Sequence, residues 1–174
     1  VFINEKMDKH TTMRVGGAAS CLVTPETVEV LVKLVDLCRN ENVPYYVIGN
    51  GSNLLVSDEG FDGIIIKIGR KMSNITLKDN IITAEAGALM SSIGGYALKE
   101  GLTGFEFAAG IPGNVGGAVF MNAGAYDGEI SFVLKESTYF DINKLCLGTK
   151  TYNEHDFSYR HSSYEDDGHL ILSA

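Results

Sequence analysis

Two glycine-rich stretches carry the residue types best suited to chemistry. The first is Gly49-Asn50-Gly51-Ser52-Asn53-Leu54, set between two short apolar runs, 45–48 and 64–68, that read as strands with no helix between them. It is either a plain interstrand turn or a nest of main-chain N–H groups. In a nest the Ser52 hydroxyl and Asn53 amide would help hold a phosphate oxygen, with glycine permitting close approach and positive φ. The stretch begins like the dinucleotide fingerprint G-x-G-x-x-G. Position six is Leu54, however, and Leu55-Val56-Ser57-Asp58 does not open a helix, so that assignment fails.

The second stretch, 105–126, reads FEFAAGIPGNVGGAVFMNAGAY. Small residues let a helix pack close to a sheet, and that is one reading. The other starts from Ile111-Pro112-Gly113, which fixes a turn with a helix expected just after it. Such a helix start would present N–H groups and a positive dipole end to a ligand. The small side chains would leave a flat slot for a planar ring. Together the two loops favour a dinucleotide cofactor more than either does alone.

Around these stretches the chain must supply a scaffold. Its 174 residues suit one domain or two small ones, and 45% are hydrophobic, enough for a packed core. No run approaches the ~18–20 apolar residues of a membrane span. Residues 1–10 are charged and polar, unlike a signal peptide, and the first residue is Val, as in a processed or cut start. The net charge of −8 argues against nucleic acid and anionic membranes as partners. It also means that a bound anion must be held locally. Three widely spaced cysteines and four histidines without ligand spacing point to buried or idle thiols in a reducing cytosol and to no metal site.

Residues 24–42 form the clearest helix, with Thr24 as cap, Pro25 in the first turn, and Val28, Leu31, Val32, Val35 and Cys38 on one face. A hairpin follows over 74–85 with Lys78-Asp79-Asn80 as its turn, then a helix over 88–101 containing Gly94-Gly95. Strand-like runs come at 131–141, 144–152 and 169–173. The order of elements predicts an α+β fold, not a doubly wound sheet, with subdomains at 1–70 and 71–174.

The sequence resembles the UDP-N-acetylenolpyruvoylglucosamine reductase family. The resemblance rests on Gly49-Asn50-Gly51-Ser52-Asn53-Leu54-Leu55, on Ala109-Gly110-Ile111-Pro112-Gly113 with Gly116-Gly117-Ala118, and on Met121-Asn122-Ala123-Gly124-Ala125-Tyr126. It extends to His10-Thr11-Thr12-Met13-Arg14-Val15-Gly16-Gly17 and to Phe157-Ser158-Tyr159-Arg160-His161-Ser162. The motifs occur in order over essentially the whole chain. What this implies is an FAD-binding fold of the vanillyl-alcohol-oxidase/PCMH type, made of two α+β subdomains, in a cytoplasmic enzyme of peptidoglycan synthesis. Such an enzyme holds FAD non-covalently and uses NADPH to reduce UDP-N-acetylglucosamine enolpyruvate.

Carried onto this sequence, the pyrophosphate loop is Ile48, Gly49, Asn50, Gly51, Ser52, Asn53 and Leu54. The residues along the flavin are Gly110, Ile111, Pro112, Gly113, Val115, Gly116, Gly117, Ala118, Asn122, Gly124, Ala125 and Tyr126. Arg160 matches the catalytic arginine, whose planar fork suits a substrate carboxylate.

The family's proton-donating serine and assisting glutamate lie in a further substrate-binding domain. Ala174 comes before both, so the sequence reads as a catalytically incomplete fragment or one piece of a longer product. The short stretch 162–169 leaves no room for the tyrosine-bearing insertion of one family branch. The competing readings are a flavin-dependent alcohol or hydroxy-acid oxidase of the same fold and a non-catalytic nucleotide-binding module.

Overall fold

The computed structural model describes residues 1–174, which divide into two compact units, Val1–Met72 and Ser73–Ala174. In the first unit the elements run β1 (Phe2–Lys6), β2 (Ala18–Val23), α1 (Val28–Asn40), β3 (Tyr45–Ile48) and β4 (Phe61–Lys67). They form a four-stranded sheet in the order β1-β2-β4-β3, with β1 antiparallel to β2 and the other pairs parallel. The central strand β4 has Ile65 and Ile66 both buried. Successive side chains point to opposite faces, so both faces of the strand are covered.

Helix α1 turns Leu31, Val35 and Cys38 inward, the stripe its spacing predicts. It starts later than expected. Thr27, not Thr24, is the cap, and its hydroxyl accepts from the Val30 N–H at 3.3 Å. Pro25 is fully buried and belongs to the extended connection out of β2 rather than to the first turn.

The second unit opens with the hairpin β5 (Ile75–Lys78) and β6 (Ile81–Ala84), turned by Asp79 at φ 55°. Then come α2 (Met90–Lys99), α3 (Val115–Phe120) and a two-residue hairpin of β7 (Gly124–Ala125) and β8 (Gly128–Glu129). Strands β9 (Glu136–Asp141) and β10 (Cys146–Thr151), the single turn α4 (Tyr164–Asp167) and β11 (Leu170–Ser173) complete it. The sheet order is β10-β9-β11, all antiparallel. Ala84 and Ala174 exchange main-chain hydrogen bonds at 2.8 and 2.9 Å, which ties β6 to the end of β11.

The core of this unit gathers Met90, Ile93, Val115, Ala118, Val119, Ile130, Tyr164 and Ile171. Gly94 lies against Ala109: a Cβ there would stand 2.9 Å from the Ala109 Cβ, so the close packing expected of the glycine pair is made by one of the two. The strand expected over 131–141 is shorter. Residues Ile130–Phe132 make a 3-10 turn, because the Ser131 N–H bonds the Asn122 side chain instead of a strand neighbour.

Candidate functional site

In the first unit, the glycine loop leaves the carboxyl end of β3. Gly51 has φ 64°, and a Cβ there would run into the carbonyl oxygen of His10. The Thr12 N–H donates to the Gly51 carbonyl at 3.1 Å, and the Thr12 hydroxyl to the Ser52 carbonyl at 3.4 Å. The Gly51 and Ser52 carbonyls are thus both taken up by Thr12, while the main-chain N–H groups of Gly51, Ser52 and Asn53 donate to no protein acceptor. Three neighbouring donors left open by a positive-φ glycine are what an anion nest needs and a plain turn does not. Ile48 and Leu54 flank the loop with side chains packed in the core, so their part is to anchor it.

Positive charge stands close by. Lys67 is the register partner of Ile48. Its ammonium lies 3.3 Å from His10 Nδ1, and His10 Nε2 lies 3.0 Å from Glu5 Oε1. Burial pushes the Lys67 pKa below the usual lysine value. The Glu5 carboxyl is held below its usual range, first by its hydrogen bond with His10.

In the second unit, the segment 110–126 departs from expectation at the start of α3. The Val115 and Gly116 N–H groups donate to the Ala88 and Ala86 carbonyls at 2.9 and 3.0 Å. The Asn114 amide donates to the Gly87 carbonyl at 2.5 Å. The first two main-chain donors of this six-residue helix are therefore spent on the protein, which leaves fewer N–H groups for the expected dipole-end anion site.

The slot idea fares differently along the segment. Gly110 and Gly117 are exposed, and a Cβ on either would meet nothing within 4 Å. Gly116 packs on Ala86, where a Cβ would stand 3.0 Å from the alanine Cβ. Val115 and Ala118 are core residues, and Ile111 is partly buried against the same core. Pro112 is exposed and Gly113 half-buried; the Gly113 carbonyl accepts from the Met90 N–H.

Asn122 is buried with both ends of its amide used. Nδ2 donates to the Ser158 carbonyl at 3.0 Å, and Oδ1 accepts from the Ser131 N–H at 3.0 Å. Of the expected flavin-side residues, Gly110, Pro112, Gly117 and Tyr126 are exposed, and Ile111, Gly113, Gly116, Gly124 and Ala125 are half-buried.

Arg160 is exposed at the tip of a loop, at φ 57°. Its Nη2 donates to the Gly124 carbonyl at 3.0 Å, and its guanidinium carbon lies 5.4 Å from the Tyr159 ring centre. It pairs with no carboxylate of the chain. A cleft of about 350 Å³ opens beside it, lined by Gly124, Tyr126, Asp127, Phe132, Tyr159 and Arg160 among others. Tyr126 is 89% exposed, Tyr159 86% and Phe132 69%, so three aromatic faces and one unpaired cation are turned to solvent together. The turn that places Tyr126 has Tyr126 and Asp127 both at positive φ, which matches the right-handed twist of the β7–β8 hairpin.

Phe132 and Tyr159 were not singled out as site residues from sequence. A larger cavity of about 620 Å³ lies elsewhere in this unit, among Ile82, Ile93, Val115, Val119 and Ile130. Apart from Val115 it contains none of the expected site residues, and core side chains line it together with polar ones such as Asn80, Lys135 and Glu136.

A family model described as FAD binding domain matches residues 19–139. UDP-N-acetylenolpyruvoylglucosamine reductase of Clostridium botulinum (strain Eklund 17B / Type B) is 46% identical over 171 residues, 98% of this chain and 56% of the relative. Among solved structures, UDP-N-acetylenolpyruvylglucosamine reductase from Thermus caldophilus superposes with a TM-score of 0.81 at 35% identity, over 97% of this chain and 59% of that one. Cholesterol oxidase from Brevibacterium sterolicum matches with a TM-score of 0.66 at 18% identity, over 87% of this chain and 32% of that one, a likeness of fold alone. The fold is the α+β FAD-binding fold of the vanillyl-alcohol-oxidase/PCMH type. The chain spans about 56% of the length of the curated relatives it matches.

Proposed function

The chain belongs to the FAD binding domain family, and from that premise we propose that it is the FAD-binding part of an NADPH-dependent reductase. The reductase would convert UDP-N-acetylglucosamine enolpyruvate to UDP-N-acetylmuramate in the cytoplasmic stage of peptidoglycan synthesis. The observation that carries the reading is end-to-end likeness to UDP-N-acetylenolpyruvoylglucosamine reductases at 46% identity over 98% of the chain. Residues 1–70 and 71–174 would be the two FAD-binding subdomains.

The residues present fit the cofactor. The open N–H groups of Gly51, Ser52 and Asn53 would hold the pyrophosphate. The uncrowded faces of Gly110 and Gly117 would let a planar ring lie against main chain. Bound there, the flavin would supply the redox chemistry that no side chain can supply, relaying a hydride equivalent from NADPH to the enolpyruvyl double bond. Arg160 would bind the substrate carboxylate with its free N–H donors and stabilise negative charge developing beside it.

Titration of the purified chain with FAD, followed by quenching of flavin fluorescence, tests the cofactor reading. Saturable binding and release of free FAD on denaturation are expected. Absence of binding overturns the reading, and flavin retained after denaturation would point to a tethered oxidase instead.

A pair of variants locates the ring. Gly117→Leu enters open space in a helix, where losing a glycine is itself favourable by up to about 1 kcal/mol. It should leave the melting temperature unchanged or higher while weakening FAD roughly tenfold or more, the expected result of filling a ligand slot. Gly116→Leu meets Ala86 and should lower the melting temperature first. An unchanged FAD dissociation constant for Gly117→Leu would show that this face is bare surface.

A further inference from the structure

The loop that presents Arg160 is held by buried polar groups, and they converge on one hydroxyl. Ser137 Oγ of β9 lies 2.7 Å from His155 Nε2 and 2.7 Å from the Tyr164 hydroxyl. All three residues are 0–1% exposed. His155 and Tyr164 stand at the two ends of the loop, which is closed by the Ser163 N–H donating to the His155 carbonyl at 2.7 Å. Two further buried groups steady its interior. The Ser162 hydroxyl donates to the Phe120 carbonyl at 2.6 Å, and the Asn122 amide donates to the Ser158 carbonyl. Ser158 and His161 exchange main-chain hydrogen bonds, leaving Tyr159 and Arg160 as the two tip residues.

We propose that Ser137 is a positioning residue, the centre of a one-directional hydrogen-bond relay that fixes both ends of the Arg160 loop. The relay's direction follows from its terminus. His155 Nδ1 lies 3.3 Å from the Tyr152 carbonyl, which can only accept, so Nδ1 carries the hydrogen. In the neutral ring Nε2 is then bare and must accept from the Ser137 hydroxyl. The Ser137 oxygen in turn accepts from the Tyr164 hydroxyl. Three buried groups are satisfied by one arrangement of hydrogens.

Protonation of His155 breaks this arrangement. A hydrogen on Nε2 would face Ser137 Oγ, and two hydroxyl hydrogens would then share a single mutual bond, leaving one without an acceptor in the dry interior. Of the charged neighbours, Lys150 adds to the cost and Glu154 offsets part of it. Lys150 of β10 sits 4.4 Å over the Tyr164 ring, with its ammonium on Ser163 and on Asp167 of α4. Glu154 of the same turn is engaged by Thr151. Tyr139 of β9 lies edge-on to Tyr164 and stacks on His169. On the face of the ring itself is Phe157, stacked at 4.9 Å.

Burial accordingly pushes the His155 pKa below the ordinary value, and pushes the Tyr164 hydroxyl up to about 12, which keeps it a donor. The unfolded chain takes up a proton near the ordinary histidine pKa of about 6.5, and the folded chain only lower. The relay's contribution to stability is therefore complete above that value and declines as pH falls from it toward the folded pKa.

The inference rests on the reading that Arg160 grips a carboxylate, but its test does not need substrate. Nitrogen NMR of the wild-type chain at neutral pH should show His155 as the Nδ1–H tautomer. Amide exchange over 158–163 should stay slow there and quicken as His155 titrates. Ser137→Ala should raise that exchange roughly tenfold or more while leaving unit one's β3–β4 amides and FAD affinity unchanged. Ser137→Thr should restore slow exchange, because it returns a hydroxyl to the same position. Tyr164→Phe removes one hydroxyl without changing ring packing and serves if Ser137→Ala fails to fold. A protonated or Nε2–H His155 at neutral pH overturns the proposal, as does loop exchange untouched by either variant. Failure of the carboxylate reading would instead appear as full activity of Arg160→Ala.

Discussion

In the intact protein, Arg160→Ala is expected to lower kcat by about 10²- to 10³-fold, the usual effect of removing a donor aimed at developing negative charge, while FAD affinity stays as it was. The expectation comes from how the side chain is presented. It is exposed, it spends one hydrogen bond on the Gly124 carbonyl, and the rest of its fork is free beside a cleft rimmed by Tyr126, Tyr159 and Phe132. Lysine should not rescue, since a point charge cannot hold both carboxylate oxygens in one plane.

Stability separates this from a folding effect. Arg160 sits at φ 57°, so Arg160→Gly should be slightly more stable than wild type, by about 1 kcal/mol, and as inactive as the alanine variant. Substrate-dependent NADPH oxidation and thermal melting of the two variants check both halves. A fully active alanine variant would remove Arg160 from the chemistry.

Local pattern made parts of this fold legible. Helix α1 shows its apolar stripe, and the β5–β6 hairpin shows β-type runs around Lys78-Asp79-Asn80. What escaped was structure without a local signature. Strand β1 is an exposed edge whose residues are nearly all solvated, so it shows no alternation, and its pairing with β2 is a long-range fact. The cap of α1 was misplaced because Thr24-Pro25 and Thr27 both satisfy the rules for a helix start. Burial of the proline decided between them.

The site divides in the same way. The glycine loop could be proposed from composition, but nest and turn differ in where the carbonyls point, and that depends on residues 10–12, some forty positions earlier. Arg160 came from resemblance alone. Ser137, His155 and Tyr164 could not be found from sequence. A serine, a histidine and a tyrosine separated by 18 and 27 positions from the serine have no spacing to read, and they meet because β9 runs beneath the two ends of one loop.

Gly51→Val is expected to abolish FAD binding, and to do so by unfolding the loop. At φ 64° a β-branched residue is strained by about 1–3 kcal/mol, and its Cβ is driven into a main-chain oxygen, that of His10, which no rotamer change relieves. That carbonyl belongs to the segment whose Thr12 fixes the Gly51 and Ser52 carbonyls, so displacing it disturbs the loop that carries the open N–H groups. A fall in melting temperature of roughly 10 °C or more is expected for the unit of this size, at ~4–8 °C per kcal/mol.

Loss of binding in this variant therefore does not by itself show that phosphate touches Gly51. Ser52→Ala makes the distinction. It leaves every main-chain donor in place and removes one hydroxyl, so the melting temperature should hold while FAD weakens by roughly 2- to 10-fold, the range of a single hydrogen bond. Riboflavin, which lacks the pyrophosphate, should bind both Ser52→Ala and wild type alike. Riboflavin weakened as much as FAD would mean that the loop acts on the ring or on the fold and that the anion lies elsewhere. A Gly51→Val chain that melts like wild type would mean that the His10 carbonyl yields, and the nest geometry described here would fall with it.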